Sequence, residues 1–529
     1  MNLVDVIKSF LRDIRLFSRI VVRRPLRAYQ LEPARAIADS VLHRRGLTFA
    51  VVMSRQAGKN ELSAQLEAYL MNWFQQEQGA ALVKASPTFK PQTLNSKLRL
   101  RDCLDNPWNR DQLRCDEGYI VRLGHCRALF FSAHPAANVV GATANVLLEC
   151  DEAQDVDEDK WNKDFAPMGA AHNVTTVFYG TLWTARTLLG RVVRRLREDE
   201  ARDGVQRVFL VPWQRVAQEV PAYGEYVRKE LQRLGEGHPI VKTQYLLQEI
   251  DDAGRLFPAE RMARMRGRHA RMREPAVNAW GTNKPMGAAP LFALTIDVAG
   301  EDEALEGEAL RAANPRKDST VVTVARVDLG ALDDPLLGLP RYEVVNRYGW
   351  TGRQHADLYA AILDLVEQWQ AVAVVVDATG VGAGLASFLQ RRLGTARPPS
   401  AGSAQAERAG AARHAIRAQG LVLPVEFNLA SKSDLGWDFL GLIETGRFKD
   451  YVEDGAPDTR QFWREVEACE FEVLPGPGQR MRWGVRDPAL HDDYLISAAL
   501  VSHLDALDWR ADVEGEVIAP RREEWGHET

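Results

Sequence analysis

Four aspartates in the second half of the chain have the types and spacing for metal-dependent phosphodiester hydrolysis. Asp297 follows the apolar run LFALTI, Asp377 follows AVAVVV, and the pair Asp492 and Asp493 opens the apolar run YLISAALVSHL. Two-metal hydrolysis needs several carboxylates converging on cations roughly 3.5–4 Å apart. Asp297 would bridge from the centre of a sheet, and Asp377 would come from a neighbouring parallel strand. Asp492 or Asp493 would come from a helix start, where the helix dipole favours a carboxylate. An all-carboxylate site suits Mg²⁺ and Mn²⁺ equally. Each aspartate taken singly also reads as a cap or turn residue; three places in one unit make that reading weaker. His491 reads as a general acid, as an orienting neighbour, or equally as a surface histidine. Asp318 reads as a supporting ligand or a solvated turn acid.

The first half carries a different chemistry. The run LTFAVVM leads into the turn SRQAGKNE, and a helical pattern follows. Backbone N–H groups of Ser54, Arg55, Gln56, Ala57 and Gly58, with the ammonium of Lys59, would cradle nucleotide phosphates at that helix start. Ser54 replaces the usual first glycine, and Asn60 stands where Ser or Thr normally holds Mg²⁺; an amide oxygen can still ligate that ion. Downstream, NVLLECDEAQ places Asp151 and Glu152 at the carboxyl end of a strand, one to hold Mg²⁺ and one to polarise water. The alternative is a solvated acidic loop, but such a loop needs no apolar strand before it. The run TTVFYGT ends at Thr181, whose hydroxyl would sense the terminal phosphate. RAYQ puts Tyr29 and Gln30 before a helical run as an adenine contact.

These sites must be positioned by alternating strands and helices, which predicts an α/β fold with parallel sheets. The strand candidates of the first unit are LTFAVVM, AALVKAS, ALFFSA, NVLLEC, TTVFYGT and RVFLVP. The chain divides into an N-terminal amphipathic helix (1–28), a nucleotide-binding unit (29–220), a helix-rich lid and linker (221–290), a second α/β unit (291–505) and a tail (506–529). Leu3, Ile7, Phe10, Ile14, Phe17 and Val21 form the apolar stripe of the first helix, which packs on its own unit or docks a partner. At 529 residues with 46% hydrophobic side chains, the chain has material for two large cores. The net charge of -5 means nucleic-acid contacts must come from local basic patches. Two such stretches are Arg255 to Arg273, and Arg391, Arg392, Arg397, Arg408, Arg413 and Arg417. Five cysteines without a CxxC pair favour reduced thiols. Charges interrupt the N-terminal stripe, so it is no secretory signal, and no run is long enough for a membrane span.

In this order, SRQAGKNE, LLECDEAQ, FYGTLW, LTIDVAG, VVVDATGVGAG and HDDYLISAAL resemble the large terminase subunit of tailed double-stranded DNA bacteriophages. The resemblance runs from about Tyr29 to Leu504. It implies an ASCE-type P-loop ATPase followed by a ribonuclease H-like endonuclease. Lys59 would then bind phosphates, Asp151 serve Mg²⁺, Glu152 act as catalytic base and Thr181 couple hydrolysis to movement. Asp297, Asp377 and Asp492 or Asp493 would hold the nuclease metals, with Asp492 favoured over Asp493 as the direct ligand. The implied partners are double-stranded DNA, the procapsid portal, a small terminase subunit and further copies in a ring. The implied location is the host cytoplasm and, transiently, the portal. Some relatives carry a trans-acting arginine before the acidic strand; SAHPAANVVGATAN has none, leaving Arg55, Arg127 or Arg186 as substitutes. Two other readings stand beside this one: a repair or recombination helicase–nuclease, and a DNA-binding scaffold with a decayed nucleotide site.

Overall fold

The computed structural model describes residues 11–116, 118–139, 141–251, 253–275, 290–299, 319–334, 338–393, 422–474, 480–487 and 490–509. Every apolar run read as a strand in the first half is one. They are β1 (Thr48–Met53), β2 (Ala81–Ser86), β5 (Cys126–Ser132), β6 (Leu147–Cys150), β7 (Thr175–Gly180) and β8 (Val208–Val211). A short hairpin, β3 (Leu113–Asp116) and β4 (Ile120–Leu123), was not visible as a pattern because charged residues interrupt both strands. The sheet order is β3-β4-β5-β2-β6-β7-β1-β8, with the six strands from β5 to β8 parallel. Apolar cores cover both faces, which explains the continuous rather than alternating hydrophobic runs. Because β6, β7 and β1 are neighbours, the loops after them open side by side at one sheet edge, the usual ligand position in such folds.

The second sheet has the order β14-β13-β10-β11-β12-β15. Its strands are β10 (Leu291–Asp297), β11 (Ser319–Asp328), β12 (Arg341–Thr351), β13 (Ala373–Asp377), β14 (Val422–Val425) and β15 (Phe448–Lys449). Strands β10, β13 and β14 are parallel, while β11 runs antiparallel to β10 and β12. A three-stranded antiparallel sheet joins β17 (Met481–Val485), β16 (Cys469–Val473) and β9 (Ala253–Arg255). The whole is thus an α/β structure of two parallel-rich sheets.

The later part of the region read as a lid and linker packs on the second unit. Strand β9 pairs with β16, and Leu256, Phe257 and Met265 are buried in the same core as Phe439, Trp463 and Leu500. The arginine series between 255 and 273 follows suit. Arg261 and Arg264 pair with Glu444, Arg266 pairs with Glu453 and lies over Trp463, and Arg271 pairs with Asp454 and Asp458. Four of the arginines read as a DNA footprint therefore weld this segment to its neighbour. Of the second basic stretch, Arg391 and Arg392 are described; Arg397, Arg408, Arg413 and Arg417 lie outside the described residues, as does Asp318.

At the N-terminus, α1 (Ile14–Ile20) buries Ile14 and Phe17 against the first unit, and Phe17 meets the Tyr69 ring edge-on at 5.5 Å. The described half of the stripe therefore packs on its own unit; Leu3, Ile7 and Phe10 lie outside the described residues. The helix after β1 is α2 (Lys59–Phe74); among those of the second unit are α3 (Leu429–Glu444) and α4 (Asp493–Ala499). At the other end, Leu507 and Trp509, assigned from sequence to a tail, are buried in the second unit's core.

One clamp secures that end. Arg447, fully enclosed, donates from Nη1 and Nη2 to the two carboxylate oxygens of Asp505 at 2.9 and 2.6 Å, and the Tyr342 hydroxyl donates to Oδ1 at 2.6 Å. Asp505→Ala would leave a buried guanidinium uncompensated, at a cost of about 3–5 kcal/mol. Urea unfolding should register that loss; a change below about 1 kcal/mol would mean that water replaces the carboxylate.

Candidate functional site: two carboxylate-bearing centres

The first centre begins with the turn after β1. Gln56 and Gly58 adopt positive φ, 63° and 91°, so the backbone reverses tightly before α2. A Cβ on Gly58 would lie 2.7 Å from Gln30 Nε2, so glycine is required twice over. The turn is braced from below. Gln30 Nε2 donates to the Gly58 carbonyl at 3.0 Å, and the Tyr29 hydroxyl donates to the Ala57 carbonyl at 3.0 Å. Gln30 Oε1 meanwhile accepts from Arg27 N–H. Both side chains are buried. In this structure the two side chains brace the turn. From the far side, the Tyr223 hydroxyl donates to Ser54 Oγ at 2.9 Å or the Arg55 carbonyl at 2.7 Å.

Lys59 and Glu152 meet here. Lys59 Nζ donates to Glu152 Oε2 at 3.3 Å. Glu152 sits at φ 46°, an uncommon backbone state for a non-glycine residue and one that clusters at functional sites. Burial would raise its carboxyl, but the Lys59 ammonium and the Gln154 amide outweigh it and hold Glu152 below its ordinary range. Its neighbour Asp151 goes the other way, raised by burial despite the Lys84 ammonium. Paired acids whose environments push them apart are suited to different roles.

Two glutamines missed by the sequence reading connect this centre. Gln154 Nε2 donates to Glu152 Oε2 at 2.7 Å while its Oε1 accepts from Thr181 N–H at 3.2 Å. Gly180 makes room for that amide, since a Cβ there would lie 2.1 Å from Gln154 Oε1. Gln244 Nε2 donates to Thr181 Oγ1 at 3.4 Å, and the Gln244 carbonyl accepts from Arg55 N–H at 2.8 Å. The motif DEAQ did contain Gln154, but nothing in its spacing assigned it a partner. The charge of Arg55, one of the three arginine candidates, also lowers Glu152. Asn60 opens the helix beside Lys59.

The second centre is assembled from three elements. Asp297 and Asp377 end neighbouring parallel strands, with Ile296 level with Val376 in the register. Asp492 immediately precedes α4 without a side-chain capping bond, and Asp493 is the helix's first residue. Buried hydroxyls dock this helix on the sheet. Thr295 Oγ1 donates to the Ser497 carbonyl at 2.6 Å, and Ser497 Oγ reaches the carbonyls of Thr295 and Val321 at 2.9 and 3.1 Å. The carboxylate of Asp493 accepts from Ser319 N–H at 2.6 Å. Behind the helix, Glu465 accepts from Leu495 N–H at 2.9 Å, and burial pushes its carboxyl up to about 8.

The electrostatics record the convergence. Asp297 is raised well above the ordinary carboxylate range by burial first, then by Asp493, Asp377 and Asp492 in that order. Asp493 thus acts on Asp297 more strongly than Asp492 does. Asp377 is also raised by burial, against N–H and hydroxyl donors of Thr379. Asp492 has its own counter-charge, Lys432 Nζ at 3.4 Å. Among the described residues, no group of three His, Cys, Asp or Glu side chains is arranged to hold a metal ion as it stands. Yet mutually repelling carboxylates with an ammonium beside them are the donor set a hard divalent cation would stabilise.

No protein-family model matches the chain, and no curated protein does. In structure it is similar to a large terminase from a thermophilic bacteriophage in complex with ADP, at 11% identity over 90% of this chain and 99% of that one, with a TM-score of 0.46. The bacteriophage HK97 large terminase aligns over 93% of this chain and 99% of its own, at 11% identity and a TM-score of 0.37. The large terminase nuclease of the thermophilic phage G20c with bound magnesium aligns over 47% of this chain and 96% of its own, at 16% identity and a TM-score of 0.28. Structural neighbours that span most of this chain are thus large terminases of different phages.

Proposed function

We propose that the chain is the large subunit of a viral terminase, an ATP-driven double-stranded DNA translocase with a metal-dependent endonuclease. One observation carries this reading: a phosphate-type loop with paired acids and a separate aspartate cluster lie at the strand ends of two parallel-rich sheets in one chain. The motor would comprise residues 29–220 and the nuclease 291 to about 509, with 221–290 joining them. DNA, the procapsid portal, a small terminase subunit and further copies in a ring are the partners that fit this function. Its site of action would be the host cytoplasm and the portal. Among the described residues no helix is long and apolar enough to cross a membrane. A repair helicase–nuclease is less favoured, because the segment between the sheets holds helices and strand β9 and, among the described residues, no second nucleotide-binding sheet.

In the motor, Lys59 would leave Glu152 to meet the nucleotide's phosphates. Glu152, still held by Gln154, would then accept a proton from the attacking water. Mg²⁺, held through Asp151 and Asn60, would neutralise charge on the phosphate oxygens. Arg55, exposed beside the loop, would add positive charge. In the nuclease, Asp297, Asp377, Asp492 and Asp493 would hold two Mg²⁺ or Mn²⁺, which supply Lewis-acid stabilisation of attacking and leaving oxygens. The chain's own contribution is to fix the carboxylates: Thr379 orients Asp377, and Ser319 N–H orients Asp493.

Lys59→Ala should lower ATP turnover at least about 100-fold by removing charge from the phosphates. Glu152→Gln should retain ATP binding while lowering turnover by about 10²–10⁴. Steady-state phosphate release and nucleotide binding check both; normal turnover in Glu152→Gln would remove Glu152 as base.

Asp297→Ala and Asp377→Ala should bring plasmid cleavage in Mn²⁺ or Mg²⁺ down to the level seen with EDTA, while ATP turnover stays within about twofold. Full cleavage by Asp297→Ala would end the two-metal assignment. Loss of both activities together would point to misfolding instead.

A further inference from the structure

Lys432 stands beside Asp492 at the aspartate cluster without having been singled out by any motif. It lies in the first turn of α3, a helix fixed at its start by Asn428, whose side chain accepts from Ala430 and Ser431 N–H. The Lys432 carbonyl accepts from Trp483 Nε1 at 2.6 Å, so its backbone is pinned. The ammonium is not: the side chain is 38% exposed, runs over the Trp483 ring at 5.9 Å and ends 3.4 Å from Asp492 Oδ2. Gly484 leaves space for this pair, since a Cβ there would lie 2.6 Å from Asp492 Oδ2 and 3.9 Å from Lys432 Nζ. The same charge also opposes the rise at Asp297 and Asp377. One ammonium on a flexible stem thus acts on three of the four carboxylates.

Resting on the nuclease reading above, we infer that Lys432 is a built-in counter-cation of the aspartate cluster, a positioning residue that holds the carboxylates together before metal loads and competes with the metal for them. The physical reason is that carboxylates gathered in a partly buried site repel one another unless a positive charge is present. A lysine supplies that charge without fixed geometry, and its exposed route to solvent lets it withdraw when a divalent cation arrives. The chain can then fold around four aspartates without a metal, and loading exchanges one cation for another.

The test is Mn²⁺ binding to the full chain by titration calorimetry, with thermal unfolding in EDTA and in saturating Mn²⁺. Lys432→Met keeps the stem and removes the charge. It should bind Mn²⁺ about tenfold more tightly, the equivalent of about 1.4 kcal/mol. It should also unfold at a lower temperature in EDTA, and Mn²⁺ should close that gap. Lys432→Arg, which keeps the charge, should stay near wild type in both readouts. Lys432→Gln serves if Lys432→Met does not fold. Equal or weaker Mn²⁺ affinity in the charge-removing variant, while wild type binds, overturns the inference and leaves the nuclease reading standing. Absence of Mn²⁺ binding by wild type itself, unchanged in Asp297→Ala, overturns the nuclease reading and this inference together.

Discussion

Carboxylates do not gather unaided. Negative charges brought together away from bulk water raise one another's proton affinity, and the fold must hold them against that repulsion. Both centres of this chain meet the constraint in the same way. Short acidic side chains are set at the ends of strands or at the start of a helix whose backbones are locked by burial and hydrogen bonds. An ammonium stands against them, Lys59 in the first centre and Lys432 in the second. The apolar strands before Asp151, Asp297 and Asp377 are therefore more than core: they are the rigid mounts that hold the acids in place against the repulsion.

Around those mounts the structure adds orientation. In the first unit, Gln154 joins the end of β6 to the end of β7, and Gln244 ties β7 back to the loop after β1. The loop, the acidic pair and Thr181 are therefore a single hydrogen-bonded network. In the second unit, hydroxyls of Thr295, Thr323 and Ser497 dock α4 on β10 and β11, which sets Asp493 over the sheet end. Hydroxyls suit that buried seam because each can donate and accept at once.

The two centres also share a physical connection. The short helix Pro239–Gln244 starts at His238, whose ring nitrogen lies 2.8 Å from the Trp437 carbonyl of the second unit. Burial keeps that imidazole neutral, with its pKa lowered to about 3. The helix ends at Gln244, against Thr181 and Arg55 of the first unit. Together with β9 and the arginine pairs of Arg261, Arg264, Arg266 and Arg271, it makes the intervening segment part of both neighbours.

Much of this was legible in the residues alone. Strands buried on both faces must be continuous apolar runs, so β1, β2, β6, β7, β10 and β13 stood out, as did the acids at their ends. The Gly58 turn was readable because it depends on local backbone geometry; that Lys59 and Glu152, 93 residues apart, meet was not. What tertiary structure alone decided were contacts between residues far apart in sequence. Gln30 became a brace because Gly58, 28 residues away, offers a carbonyl. The arginines from 261 to 271 became ion pairs because Glu444, Glu453 and Asp458 fold against them. Asp493 gained the stronger hold on Asp297, and Lys432 its place, only when two helix starts met one sheet end. A charge in a sequence carries no partner; the partner is chosen by whichever surface burial brings to it.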